Sequence, residues 1–222
     1  MDIYEILKKC DHTLLRPDCT LSEVRELCDE AEKYGCASIC VPPCHVKGAA
    51  KYLEGRVKIC TVIGFPHGNS TRAVKVFEAQ NALADGASEI DMVVNLSMVR
   101  DGAWGGVERE IAAVREVTQG HILKIIIETC LLTRQEKVRL CEIVSKSGAD
   151  FIKTSTGFSS GGATRDDVAL LRQHCAPHVK IKASGGISSL QRAEEMLAAG
   201  ADRLGESKLV LEAVSGDGTA QS

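Results

Sequence analysis

At 222 residues the chain is long enough for one β/α barrel with an ample apolar core, and its length calls for no second domain. With 27 basic and 30 acidic side chains, no Lys/Arg block and few aromatics, it lacks the electrostatic footprint and the stacking platforms of a nucleic-acid binder. No apolar run approaches the ~20 residues of a membrane span, the N-terminus is too acidic for a secretory signal, and ten dispersed cysteines read as reduced thiols of a cytoplasmic protein.

The first predicted strand is short, residues 12–15. Thr20 and Glu23 then open a helix with capping-box spacing, and the helix ends at Gly35-Cys-Ala-Ser-Ile39, where a strand over 38–41 begins. That phrase recurs as Gly86-Ala-Ser-Glu-Ile90, Gly148-Ala-Asp-Phe-Ile152 and Gly200-Ala-Asp-Arg-Leu204. Glycine supplies a left-handed helix end and alanine keeps the turn compact, so each copy marks a helix turning into a strand, at 88–94, 150–154 and 202–205. Intervening strands are predicted at 57–63, 122–128 and 179–183, and further helix starts at Thr133…Glu136, Thr164…Asp167 and Ser188…Gln191.

Eight alternating βα units, with many strands apolar on both faces, predict an α/β fold, a single-domain (β/α)8 TIM barrel over residues 1–212 with its active site at the strands' C-terminal ends. Residues 213–222 read as a short polar tail. The alternative, an open doubly wound sheet, calls for a G-x-G-x-x-G turn after the first strand, and none is present.

Charged residues inside barrel strands are the informative exceptions, because burying an unpaired charge is costly. Asp91, Lys153 and Lys182 all fall in the C-terminal halves of their strands. The period of two turns Val179 and Ile181 toward the helices and Lys180 and Lys182 into the barrel, and lets Asp91 and Lys153 point inward as well. On neighbouring strands ~5 Å apart, two ammonium groups at an effective dielectric of about 20 repel by roughly 3 kcal/mol, which leaves one of them partly neutral near pH 7. A neutral amine beside a cation is a carbonyl nucleophile. The competing readings are lysine heads that reach water at the strand ends, and an Asp91 that only neutralises them. Lys180 is expected to pair with a carboxylate such as Glu89, or else to mark a local break in the alternation.

Ser184-Gly185-Gly186 follows the seventh strand and opens a helix at Ser188 or Ser189, while Gly205-Glu206-Ser207 follows the eighth. Such loops let backbone N–H groups approach a phosphate, although two tight turns are the simpler alternative. Cys36, Cys40 and Cys44, with His45, fit no usual zinc spacing and are expected to be thiols without a metal.

Glu89-Ile-Asp-Met-Val-Val-Asn95, Phe151-Ile-Lys-Thr-Ser-Thr-Gly-Phe158 and Lys182-Ala-Ser-Gly-Gly-Ile187 together resemble the deoxyribose-phosphate aldolase family, as do Gly64-Phe-Pro-His-Gly68 and Leu123-Lys-Ile-Ile-Ile-Glu-Thr129. The resemblance covers nearly the whole chain in order. It implies a lyase that cleaves 2-deoxy-D-ribose 5-phosphate reversibly to acetaldehyde and D-glyceraldehyde 3-phosphate, within deoxyribonucleotide catabolism, with no cofactor and no metal. It also implies a homodimer or homotetramer with a small phosphorylated sugar as its partner, and no nucleic acid or membrane. Carried over by position, Lys153 is the Schiff-base lysine, Lys182 tunes it and moves protons, and Asp91 is a proton donor and acceptor. Gly157, Gly185, Gly186, Gly205 and Ser207 match phosphate-loop positions, and Asp11 and Cys40 match pocket positions. Glu206 sets a carboxylate beside the expected phosphate where the family has a small residue, so either Lys208 offsets it or Glu206 points away, and no tyrosine after Tyr52 is available to reach the site from the tail. Two other readings stay open: a phosphate-binding barrel that uses a lysine imine on a different carbonyl compound, and a phosphosugar-binding protein without catalysis.

Overall fold

The computed structural model describes residues 1–210, so the expected domain end at 212 and the tail over 213–222 lie outside the described residues. Eight parallel strands close on themselves in sequence order. They are β1 (Cys10–Thr13), β2 (Ser38–Val41), β3 (Ile59–Ile63), β4 (Glu89–Val93), β5 (Ile122–Ile126), β6 (Phe151–Lys153), β7 (Lys180–Ser184) and β8 (Arg203–Glu206). Around them run α1 (Ile3–Leu7), α2 (Leu21–Lys33), α3 (Val46–Leu53), α4 (Arg72–Ala84), α5 (Leu96–Arg100), α6 (Trp104–Val117), α7 (Arg134–Ser147), α8 (Arg165–His174) and α9 (Leu190–Ala198). The TIM barrel expected from the alternation is the observed fold.

The local signals act where expected, with two adjustments. Thr20 and Thr133 each cap a helix reciprocally with Glu23 and Glu136, which ties down two backbone N–H groups per helix start. Thr164 accepts from the Asp167 N–H, and the cap of α9 is Ser189 rather than Ser188, accepting from Arg192 N–H. The helix-to-strand glycines adopt positive φ, as at Gly148, which ends α7 at φ 75. Strand ends differ from the predicted ones by a few residues because ladder hydrogen bonding continues past them: Leu14 N–H still reaches Cys40 O at 2.9 Å, and Ile127 N–H reaches Lys153 O at 3.0 Å.

Alternation then divides the strands into two environments. Ile39, Val41, Ile90, Met92, Leu123, Ile125, Ile152, Ile181 and Leu204 face outward into one apolar layer shared with the helices. Each such side chain stabilises the fold by about 1.5 to 3 kcal/mol. Inside, Cys40, Cys60 and Val62 form only a small apolar group, packed by Leu15 and Phe65. The rest of the barrel axis holds charge, where a barrel of this type ordinarily stacks Val, Ile and Leu.

Candidate active site

Inward positions on all eight strands meet in one network. Phe151 floors it, with Lys124, Lys180 and Arg203 within 5.4 to 6.0 Å of its ring. Above the floor, Lys124 Nζ lies 2.5 Å from Glu89, 2.9 Å from Asp91 and 3.5 Å from Asp11. Arg203 reaches Asp11 at 2.5 Å and Glu89 at 3.4 Å. Ser38 donates to Asp11 at 2.8 Å, and Cys60 Sγ donates to Asp91 Oδ1 at 3.1 Å. Nearer the C-terminal mouth, Lys153 and Lys182 are direct partners across β6 and β7. Both donate to the same oxygen, Asp91 Oδ2, at 2.7 and 2.8 Å, and Lys182 also bonds Asp11.

This arrangement replaces bare repulsion between two lysines with a shared carboxylate. Burial opposes ionisation of Asp91, but Lys124, Lys153 and Lys182 outweigh it and hold its carboxyl well below the usual range. Burial likewise opposes the charge on Lys182, and Asp11 and Asp91 overcome it, so Lys182 is held above the ordinary lysine range. Lys124 is pushed the same way against its burial, chiefly by Asp11 and Asp91. In the resting site Lys182 and Lys124 therefore stand as cations and Asp91 as an anion. Among the described residues of the network, three carboxylates (Asp11, Glu89, Asp91) face four basic groups (Lys124, Lys153, Lys182, Arg203). Lys153 touches the fewest carboxylates, one, against two each for Lys182 and Arg203 and three for Lys124.

The thiols belong to the same interior. Cys40 and Cys60 are register partners on β2 and β3. Interaction with Cys60 lowers the Cys40 thiol against its burial, while burial drives Cys60 well above the usual value. Cys40, Cys60 and Asp91, and also Asp11, Cys60 and Glu89, lie close enough to share an ion, but Lys124 Nζ already contacts Cys60 Sγ at 3.3 Å and three lysines occupy Asp91. Ammonium groups fill these donor sets. Cys36 is buried and Cys44 exposed, and His45 bonds the Cys19 carbonyl at 3.1 Å, so the Cys36 to His45 run converges on no common point.

Beyond the lysines, the loops after β6, β7 and β8 surround a cavity of about 540 Å³ lined by Gly157, Gly185, Gly186, Gly205 and Ser207. Gly185 and Gly186 adopt φ of 86 and 74, which turns the chain sharply at the cavity wall. At Gly205 a Cβ would lie 2.6 Å from Ser184 Oγ and 3.2 Å from Lys182 Cε, so its bare Cα gives Lys182 room. Gly162 was not anticipated: a Cβ there would meet the Gly185 carbonyl oxygen at 2.3 Å, so it lets a second loop close over the turn.

Two expectations about charge need correction. Lys180 does not enter the interior; it begins β7 at the N-terminal mouth, where it is exposed, and its ammonium lies over Phe151. The alternation is intact, since Val179 and Ile181 join the outer layer, and Glu89 is taken by Lys124 and Arg203. Lys124 and Arg203 were overlooked, although the rule that singled out Lys153 applies to both.

No helix among the described residues is long and apolar enough to cross a membrane. Residues 6–208 match the model of the DeoC/LacD family aldolases. The chain is 52% identical over 210 residues to deoxyribose-phosphate aldolases of Streptococcus agalactiae serotype Ia and Streptococcus pyogenes serotype M4, covering 95% of this chain and 94% of each relative. Its fold superposes on a deoxyribose phosphate aldolase from Aeropyrum pernix, described as a tetramer, with a TM-score of 0.89 and 34% identity over 96% of this chain and 92% of that one.

Proposed function

The chain belongs to the DeoC/LacD family of aldolases, and on that premise we propose that it cleaves 2-deoxy-D-ribose 5-phosphate reversibly, through an imine on Lys153, to acetaldehyde and D-glyceraldehyde 3-phosphate. The observation that carries this reading is the Lys153 amine: it stands on the mouth side of the network, bonded to Asp91 alone among the carboxylates, and directly paired across the sheet with Lys182. Deoxyribonucleotide catabolism supplies such a substrate, and a homodimer or homotetramer is the assembly expected of the family.

In the cleavage direction the neutral Lys153 amine adds to the C1 carbonyl, and uptake of a proton with loss of water gives the protonated imine. A base then takes the C3 hydroxyl proton, the C2–C3 bond breaks, and its electron pair passes into the imine as an enamine. Protonation at C2 and hydrolysis release acetaldehyde and free the amine. Lys182 and Asp91, bonded at 2.8 Å, divide the proton work: the lysine carries a proton and the carboxylate has a vacancy for one. When the enamine forms, its nitrogen is neutral, so Asp91 loses one of its cations and becomes a better proton acceptor. Gly157, Gly185, Gly186, Gly205 and Ser207 line the cavity next to Lys182, which the phosphate of the open-chain sugar would enter. Asp11 supports Lys182, and Cys40 lies buried close to Asp91.

Borohydride reduction in the presence of acetaldehyde, followed by peptide mass mapping, tests the assignment. An ethyl adduct on Lys153 is expected, and modification confined to other lysines would sink it. Tight binding of the phosphosugar without turnover would favour a non-catalytic role.

A further inference from the structure

The cavity walled by the loops after β6, β7 and β8 carries a feature that the aldol chemistry does not use. Register pairs His12 on β1 with Glu206 on β8, and because Gly205 faces the barrel axis, both side chains point outward beneath α2. There His12 is held between two carboxylates, with Nδ1 3.2 Å from Glu206 and Nε2 2.7 Å from Glu30. The Glu206 side chain is fully buried, and its second oxygen accepts from the backbone N–H groups of Lys208 and Leu209, each at 2.7 Å. These amides belong to the turn after β8, where a barrel ordinarily receives a phosphate. A carboxylate of the chain itself already occupies them. The remaining wall of that cavity includes Glu23, Glu26 and Glu30, while its Arg16 is engaged with Asp18 and Glu23.

We propose that Glu206 is a specificity-determining residue: its carboxylate fills the anion-binding turn after β8 in place of the substrate phosphate, which narrows the margin by which the site favours a phosphorylated 2-deoxy aldose over the uncharged one. The inference rests on the aldol reading of Lys153. A phosphate entering this cavity must either displace Glu206 from two charge-assisted hydrogen bonds or lie beside a buried like charge, held by Ser207, the Gly185–Gly186 turn and the exposed Lys208, the one lysine that lines the cavity among the described residues. An unphosphorylated sugar meets neither obstacle. His12 keeps Glu206 in place with a carboxylate at each ring nitrogen: burial disfavours the imidazolium, but Glu206 and Glu30 outweigh it and raise its pKa.

The test is the ratio of kcat/KM for 2-deoxyribose 5-phosphate to that for 2-deoxyribose, measured for the wild type, Glu206→Ser and Glu206→Gln. Serine removes the charge and, with a single short acceptor, releases at least one of the two amides, and the ratio is expected to rise about tenfold or more through KM of the phosphorylated sugar. Glutamine keeps an acceptor for the amides while removing the charge, and a smaller rise in the same direction is expected. A cap with a purely structural role would shift both substrates together. Folded variants, verified by circular dichroism, whose ratio matches the wild type would overturn the proposal, and should the serine variant not fold, the glutamine variant decides alone. Acetaldehyde trapping on wild-type Lys153 is read in parallel: its failure counts against the aldol reading, whereas success with an unchanged ratio counts against Glu206 only.

Discussion

Lys153 and Lys182 compete for one oxygen of Asp91, so a change at either lysine alters the other through that carboxylate. In Lys182→Met, Asp91 keeps only Lys124 and Lys153 and holds the Lys153 proton more firmly. Borohydride trapping of acetaldehyde near pH 7 is expected to fall about tenfold or more, since one unit in pKa is a factor of ten, and to recover as pH rises. Steady-state cleavage should recover less completely, because the variant also lacks the proton that Lys182 carries. A trapping profile superimposable on that of the wild type would refute the coupling. Charge on a strand was the signal that made Asp91, Lys153 and Lys182 legible in the sequence. The same signal was present at Lys124 and Arg203 and was passed over because both lie deeper than the strand ends where reactive groups are sought. Lys180 shows the opposite failure: the period of two tells which face a residue occupies but not whether it stands at the closed or the open end of the barrel. That Glu206 turns outward to meet His12 and Glu30 depends on contacts among β1, β8 and α2, which no local pattern encodes.

The helices and strands were more legible, because their signals are local. The αβ turns read from Gly35, Gly86, Gly148 and Gly200 all hold positive φ, a demand that glycine alone meets cheaply. Ends were less exact, since Leu14 and Ile127 continue the ladder beyond the strands proper. Thr133 caps α7 from the Glu136 N–H, and Glu136 returns a bond to the Thr133 N–H and salt-bridges Arg100 at 3.0 Å, tying α7 to α5. Thr133→Ala is therefore expected to lower unfolding stability by about 1 kcal/mol in urea titrations. The Lys153 trapping rate should not change, because α7 contributes no side chain to the charged interior. A loss of trapping without a loss of stability would show that the cap acts on the site instead of the fold.

At the scale of the molecule, the family and the barrel were both readable from one chain, while the interior network was not, because it is assembled by closure and has no counterpart in any single βα unit. Every strand gives it at least one side chain, from Ser38 on β2 to Arg203 on β8. Among the described residues, its ions sort by position along the chain. All three carboxylates stand on β1 and β4, and all four basic groups stand on β5 to β8. The barrel is thus two half-shells of opposite sign. Two copies of the first would bring carboxylate against carboxylate, and two copies of the second ammonium against ammonium, so each half is discouraged from closing on itself and fitted to the other. Cutting the chain in the exposed loop between α6 and β5 gives pieces 1–118 and 119–222. Produced together, they are expected to form a soluble one-to-one complex that regains acetaldehyde trapping, while neither alone assembles. A stable homodimer of either piece, seen by analytical ultracentrifugation, would show that polarity of the interior plays no part in choosing the partner.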